Sequence, residues 1–249
     1  MRPNLLLFIL LLIPCAGWAK CGGSGIYVLS SSNHLNKNGW IVLEFYETNQ
    51  AAIPELNKKR PIYLQSENEK VPLVPVEVLQ GEFRVTQVIL KPGTSLKVNE
   101  TYVLHIDSLS QQEGTVDNDR WNSVTNIYEP FEFQIFNKVD SLKPEMKGIP
   151  KEMDFRYKKF GCGPAAYVDF KLAGIDHSDF FTRVIVRNKA TGKTTDYLVA
   201  LKNGVVSVGH GMCGGPFRGI GNNCEVRFEL DDQSGNASEF TSWIAFKDR

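Results

Sequence analysis

Trp40-Ile41-Val42-Leu43-Glu44-Phe45-Tyr46 decides the fold class. Ile41, Leu43 and Phe45 alternate with Trp40, Val42, Glu44 and Tyr46. Successive side chains of a strand point to opposite faces, so a period of two in β-branched and aromatic residues marks a half-buried strand. The rhythm returns at Val74, Val76 and Val78, less evenly at Phe83, Val85 and Ile89, and again at Tyr102, Leu104 and Ile106 and at Phe131, Phe133 and Ile135. Turn residues separate the runs: Asn36-Lys37-Asn38-Gly39, Gln80-Gly81-Glu82 and Lys91-Pro92-Gly93. Proline cannot donate to a ladder, so Pro72 and Pro75 predict that residues 71–79 form an edge strand or are broken by bulges. No window carries an amphipathic helical stripe closed by caps.

The composition changes after Phe136. Residues 139–152 hold two prolines, a glycine and several charges, which is the make-up of a linker. A second series of strands follows. Residues 166–172 set Tyr167, Asp169 and Lys171 against Val168, Phe170 and Leu172, and further strands are expected at 181–186, 197–201, 205–208, 225–230 and 243–246. Many short strands at regular spacing predict an all-β chain of two tandem antiparallel sandwiches, residues 22–138 and 153–249, each large enough to bury its own core.

Residues 1–19 read as a signal peptide. Arg2 precedes an apolar run, Pro14 breaks it, and Ala16-Gly17-Trp18-Ala19 places small residues at −3 and −1 of a cut after Ala19. The run is shorter than the roughly 20 residues a membrane span needs, so export to the periplasm or the exterior without a transmembrane anchor is expected. Lipoprotein processing needs a small residue before the modified cysteine. Cys15 follows Pro14 and Cys21 follows Lys20, so the expectation is export without a lipid anchor. The chain has 28 basic and 28 acidic residues with no long like-charge block, which argues against a nucleic-acid partner.

Two segments resemble known bacterial modules. Residues 90–106, with Pro92-Gly93, Leu96 and the Asn99-Glu100-Thr101-Tyr102 element, are similar to the E–F corner of bacterial Ig-like domains. The resemblance implies a tyrosine corner, in which the buried ring of Tyr102 returns a hydrogen bond to the corner backbone. Residues 226–240 are similar to the Asp-x-x-Gly-Asn-x-Ser hairpin joining the last strands of Ig-like and fibronectin type III-like sandwich modules. It is carried by Asp232, Gly235, Asn236 and Ser238. Gly235 and Asn236 suit positive φ there, and the aspartates suit bonds to loop amides. A looser likeness connects Gly161-Cys162-Gly163-Pro164 and residues 209–213 to secreted bacterial proteins and implies no activity. The fold itself carries no function.

Four cysteines follow the leader: Cys21, Cys162, Cys213 and Cys224. An even number in an exported chain points to two disulfides with three possible connectivities. The Ig-like placement gathers Cys162, Cys213 and Cys224 at one end. It favours Cys213–Cys224, then Cys162–Cys213, leaving Cys21 to staple the amino-terminus or stay reduced. His210 and Met212 beside Cys213 are the residues a copper ion would use, although oxidation of Cys213 with Met212 packed accounts for them without a metal. Asp117-Asn118-Asp119 and Asp231-Asp232 offer oxygens without the spacing of a calcium loop. His34, His105 and His177 are isolated. No catalytic set emerges and no cofactor is implied. The expected function is that of an exported, non-catalytic binding or scaffolding protein of a bacterial cell envelope. Its partner would be a protein or an envelope glycan, met by residues 209–223 with Phe217 and Arg218 as anchors. The rival readings are a periplasmic copper carrier and a hydrolase whose site is assembled from distant residues.

Overall fold

The computed structural model describes residues 25–29, 33–109, 116–117, 119–122, 127–130, 132–176, 178–221 and 223–246. The leader, Cys15, Cys21, Asn118, Phe131 and His177 lie outside them. The fold is all-β. In the first half, β1 (Gly25–Leu29), β2 (His34–Asn36), β3 (Ile41–Tyr46), β4 (Ile62–Gln65), β5 (Lys70–Gln80), β6 (Val85–Pro92), β7 (Thr101–Ile106), β8 (Val116–Asp117) and β11 (Glu132–Phe136) form one sheet. Its order is β2-β11-β7-β4-β5-β6-β3-β1-β8, while β9 (Asp119–Asn122) pairs with β10 (Ile127–Pro130). The ladders are antiparallel except where β8 joins β1 and β2 joins β11 in parallel. A 3-10 helix, Glu47–Glu55, follows β3; it has no apolar stripe to announce it and contains Pro54.

In the second half, β12 (Glu145–Met146) pairs with β15 (Gly174–Ile175). Strands β13 (Lys151–Phe160), β14 (Gly163–Lys171) and β18 (Val205–His210) form a sheet in the order β13-β14-β18. It faces a second sheet, β17-β16-β19-β20, made of β16 (Phe180–Asn188), β17 (Thr194–Val199), β19 (Cys224–Asp232) and β20 (Ile244–Ala245). Phe170 and Phe228 meet between the two sheets with ring centroids 5.0 Å apart. Strand β13 has little signature in the sequence, because charged residues interrupt its apolar positions and it abuts the linker.

The two faces of β3 and β6 have different neighbours. Ile41, Leu43, Phe45, Val88 and Leu90 enter a first core with Ile62, Leu64, Tyr102, Leu104 and Phe133. Val42, Val85 and Ile89 point the other way. They join Leu79 in a second core whose other members, among them Val168, Phe170, Phe181, Tyr197, Phe217 and Phe228, belong to the second half. The second core therefore spans both halves of the chain.

Strand β5 corrects one expectation. Val74, Val76 and Val78 are exposed, while Val71, Leu73 and Leu79 are buried. The register shifts between Pro75 and Glu77, which is the bulge the prolines predict. Before it β5 packs into the first core through Val71 and Leu73, and beyond it Leu79 packs into the second.

The tyrosine corner is present. Tyr102 is fully buried, and its hydroxyl accepts the Lys97 N–H at 3.0 Å and donates to the Glu69 carboxylate. Burial and that bond push the Tyr102 phenol up to about 12. Asn99 takes positive φ (64°) in the preceding turn.

Gln87 joins the halves as a strand would. Its Nε2 donates to the Leu198 carbonyl at 2.8 Å and its Oε1 accepts the Leu198 N–H at 3.0 Å, with the side chain fully buried. Truncation strands a buried donor and a buried acceptor. Gln87→Ala is expected to cost about 2–4 kcal/mol and to lower Tm by about 5–10 °C. Thermal melts followed by near-ultraviolet circular dichroism check this; an unchanged Tm contradicts it.

Candidate functional site

The loop after β18 is not the open contact surface expected. Phe217 is 1% exposed, in the second core, its ring steeply inclined to that of Tyr197 with centroids 6.4 Å apart. Arg218 is exposed, but its guanidinium covers the Phe83 ring at 5.1 Å and its N–H bonds to Glu82. Phe83 and Gly215 exchange backbone bonds of 3.2 and 2.8 Å, and Glu82 N–H donates to the Pro216 carbonyl. The loop is thus pinned onto the β5–β6 turn of the first half. Gly215 fits because a Cβ there would lie 2.5 Å from the His210 Cα, at φ +155°. His210 is buried, with Nδ1 2.8 Å from the Gly211 carbonyl and its ring edge-on to Phe83. Met212 is 38% exposed. Buried apolar positions look like interface anchors in a glycine-rich sequence, because the register that folds the loop back is not visible there.

Cys213 is disulfide-bonded. Cys224 is a buried thiol whose Sγ lies 3.7 Å from the Gly219 carbonyl, and Cys162 is a half-buried thiol in the β13–β14 turn. The Cys213–Cys224 and Cys162–Cys213 pairings are therefore both corrected, and the partner of Cys213 lies outside the described residues. The pairings failed because they assumed the Ig-like placement of a loop that is drawn away onto the other half. An oxidised Cys213 also offers no thiolate to a metal beside His210 and Met212.

The Asp232 hairpin is built as its sequence implies. Asp232 Oδ1 accepts the N–H groups of Ser234 and Asn236, both at 2.8 Å, and Oδ2 accepts Asn236 Nδ2 at 2.7 Å. Gly235 has φ +84°, and a Cβ there would lie 2.0 Å from Trp40 of the first half. Asn236 does not share the positive φ expected of it. Carboxylate oxygens of Asp140, Asp176 and Asp232 lie within 4.8 Å of one another, and a cation would suit such a group. Each has its own bonds: Asp232 to the hairpin, Asp140 to the Leu142 N–H at 3.2 Å, and Asp176 to the Ser178 hydroxyl at 2.8 Å.

A second charged group lies where β5 meets β16. Arg183 bonds Glu77 at 2.5 and 3.0 Å, Asp196 at 2.9 Å and Asp231 at 2.8 Å, with Glu229 at 3.9 Å. Strand alternation sets this up, since Glu225, Arg227, Glu229 and Asp231 share one face of β19 while Val226, Phe228 and Leu230 fill the core. Four carboxylates around one guanidinium cannot all stay ionised cheaply. Burial, then the Asp231 charge, pushes Glu229 up to about 7, and burial also raises Asp196 and Asp231.

A groove of about 640 Å³ opens between the linker and the last strand. Pro144, Met146 and Ile149 face Phe240, Trp243 and Ile244 across it, with Lys143, Glu145 and Glu239 among its charged residues. Residues 240–243 are held by a ladder of rings and guanidinium groups: Phe240 on Arg227 at 4.2 Å, Arg227 on Trp243 at 4.8 Å, and Trp243 on Arg187 at 4.1 Å. The sequence did not single these residues out. The signal was Met146 and Ile149 among the linker's charges, which a linker has no need to carry.

No family model and no curated protein matches the chain. Among solved structures it is similar to a type I pullulanase from Bacillus subtilis complexed with maltose, at 10% identity and TM-score 0.26 over 89% of this chain. It is also similar to a pullulanase from Anoxybacillus sp. LM18-11 complexed with maltotriose, at 7% identity and TM-score 0.24 over 85%. The chain spans 24% of the length of each. Among the described residues no helix is long and apolar enough to cross a membrane.

Glu229 gives the fold a pH dependence of definite sign. Its carboxyl titrates at about 7 in the folded chain and at about 4.3 in an unfolded one. The folded state therefore binds the extra proton between these values. The stability it contributes is complete below the unfolded value and lost as pH rises through 7, by about 1–3 kcal/mol. Tm measured from pH 5 to 8 should fall more for the native protein than for Glu229→Gln. Parallel curves contradict the assignment.

Proposed function

We propose that the chain is an exported, non-catalytic binding module of a bacterial cell envelope. We assign its contact surface to the groove between residues 143–149 and 238–244. The observation that carries this reading is the groove itself, whose lining joins apolar Pro144, Met146, Ile149 and Ile244 to charged and hydroxyl groups, the usual make-up of a ligand cleft. A polypeptide segment fits better than a glycan. Sugars stack on open aromatic faces, and the Trp243 ring is already engaged by the guanidinium groups of Arg187 and Arg227, at 4.1 and 4.8 Å. The leader-like residues 1–19 and the oxidised Cys213 support export.

Ile149 is 78% exposed, so altering it leaves the core alone. A photoreactive phenylalanine analogue at Ile149 in the exporting cell is expected to capture a discrete polypeptide. Ile149→Asp is expected to weaken binding of that polypeptide, once purified, at least tenfold with Tm unchanged. Capture of glycan alone, or equal capture from the same analogue placed at exposed Lys59 of the first half, contradicts the proposal.

A further inference from the structure

Strand β13 ends its sheet: β14 pairs with one side, and no strand among the described residues pairs with the other. Ten residues long, it leaves Met153, Phe155, Tyr157 and Phe160 between 37% and 55% exposed. Natural sheet edges are seldom both long and apolar, since such an edge is a template for another strand. Phe155 and Tyr157 share a face with their ladder partners Val168 and Ala166, both buried. They extend the apolar face of the second core to the rim of the sheet. Their rings stack on one another with centroids 6.3 Å apart. The register shift between Glu152 and Asp154 leaves residues 154–160 as the regular part of the edge.

Charge and ring order along that part are complementary to themselves. An antiparallel copy centred on Arg156 sets Asp154 opposite Lys158 twice and Phe155 opposite Tyr157 twice. Opposite charges and aromatic pairs are the cross-strand pairings that stabilise a ladder. The central pair would place Arg156 opposite itself. Each Arg156, however, is drawn back across its own sheet, bonded to Asp169 at 2.6 and 2.9 Å and to the Ser207 hydroxyl at 3.1 Å. Its charge is met within its own subunit. Centring on Tyr157 sets Arg156 against Lys158, while centring on Phe155 sets Asp154 against an Arg156 already bonded to Asp169, breaks the Phe155–Tyr157 pairs and carries the ladder into the register shift at Glu152.

We propose that β13 is a self-association edge: a second copy of this chain docks antiparallel across a two-fold axis at Arg156, joining two three-stranded sheets into one of six. The interface is isologous and uses neither the groove nor the joint between the halves.

Sedimentation equilibrium of the intact exported protein tests this at submillimolar concentration. A monomer–dimer equilibrium is expected. Asp154→Lys sets lysine against lysine twice and Lys158→Asp sets aspartate against aspartate twice, so each alone should raise the dissociation constant at least tenfold. The double variant Asp154→Lys/Lys158→Asp restores both pairs and should recover the dimer, which a general effect on fold or solubility would not do. Far-ultraviolet circular dichroism confirms that each variant is folded. A monomer at every concentration, which would leave the edge to a different partner, overturns the proposal. So does a dimer indifferent to the single changes, or one that the double variant fails to restore.

Discussion

The structure depends on burying both faces of β3 and β6. A sheet covered on one side shows apolar residues on one face only; these strands carry them on both. Ile41, Leu43 and Phe45 fill the first core while Val42 helps fill the second. Glu44 and Gln87 are tolerated on the second face because each has a partner across the joint. Tyr197 donates to Glu44 at 2.9 Å, and Gln87 pairs with the Leu198 backbone. Burial raises the Glu44 carboxyl, so its cost is real and only partly offset by those bonds.

Three further contacts follow from that packing. The Asp232 hairpin closes against Trp40, the loop after β18 closes on Phe83, and Arg183 closes on Glu77. Each pairs a turn or strand end of one half with a partner over a hundred residues away in the chain. Such contacts cost chain entropy before they repay it, and are worth making only if the apolar faces are already brought together.

Fold class was legible in the sequence because strand alternation is local. Tyr102 and the Asp232 hairpin were legible for the same reason: each depends on residues a few positions away. What stayed hidden depends on the other half of the chain. Val74, Val76 and Val78 look like a core face until the bulge at Pro75 and the neighbours of Leu79 are known. Phe217 looks like an anchor until Gly215 is seen paired to Phe83. Cys213 and Cys224 are close in sequence, yet β19 begins at Cys224 while Cys213 stays in the loop fixed to the first half. The groove was hidden because residues 143–149 are linker-like in composition and gain a role only opposite Phe240 and Trp243.

The groove and the β13 edge lie on the second half, and the joint with the first half holds that half in shape. The second core belongs to both halves, so the second half does not fold without the first. Differential scanning calorimetry of the intact chain beside residues 153–249 alone tests it most directly. One transition is expected for the intact chain, with equal calorimetric and van't Hoff enthalpies, and no cooperative transition for the isolated segment. Two resolved transitions, or a cooperative melt of residues 153–249 alone, would contradict it.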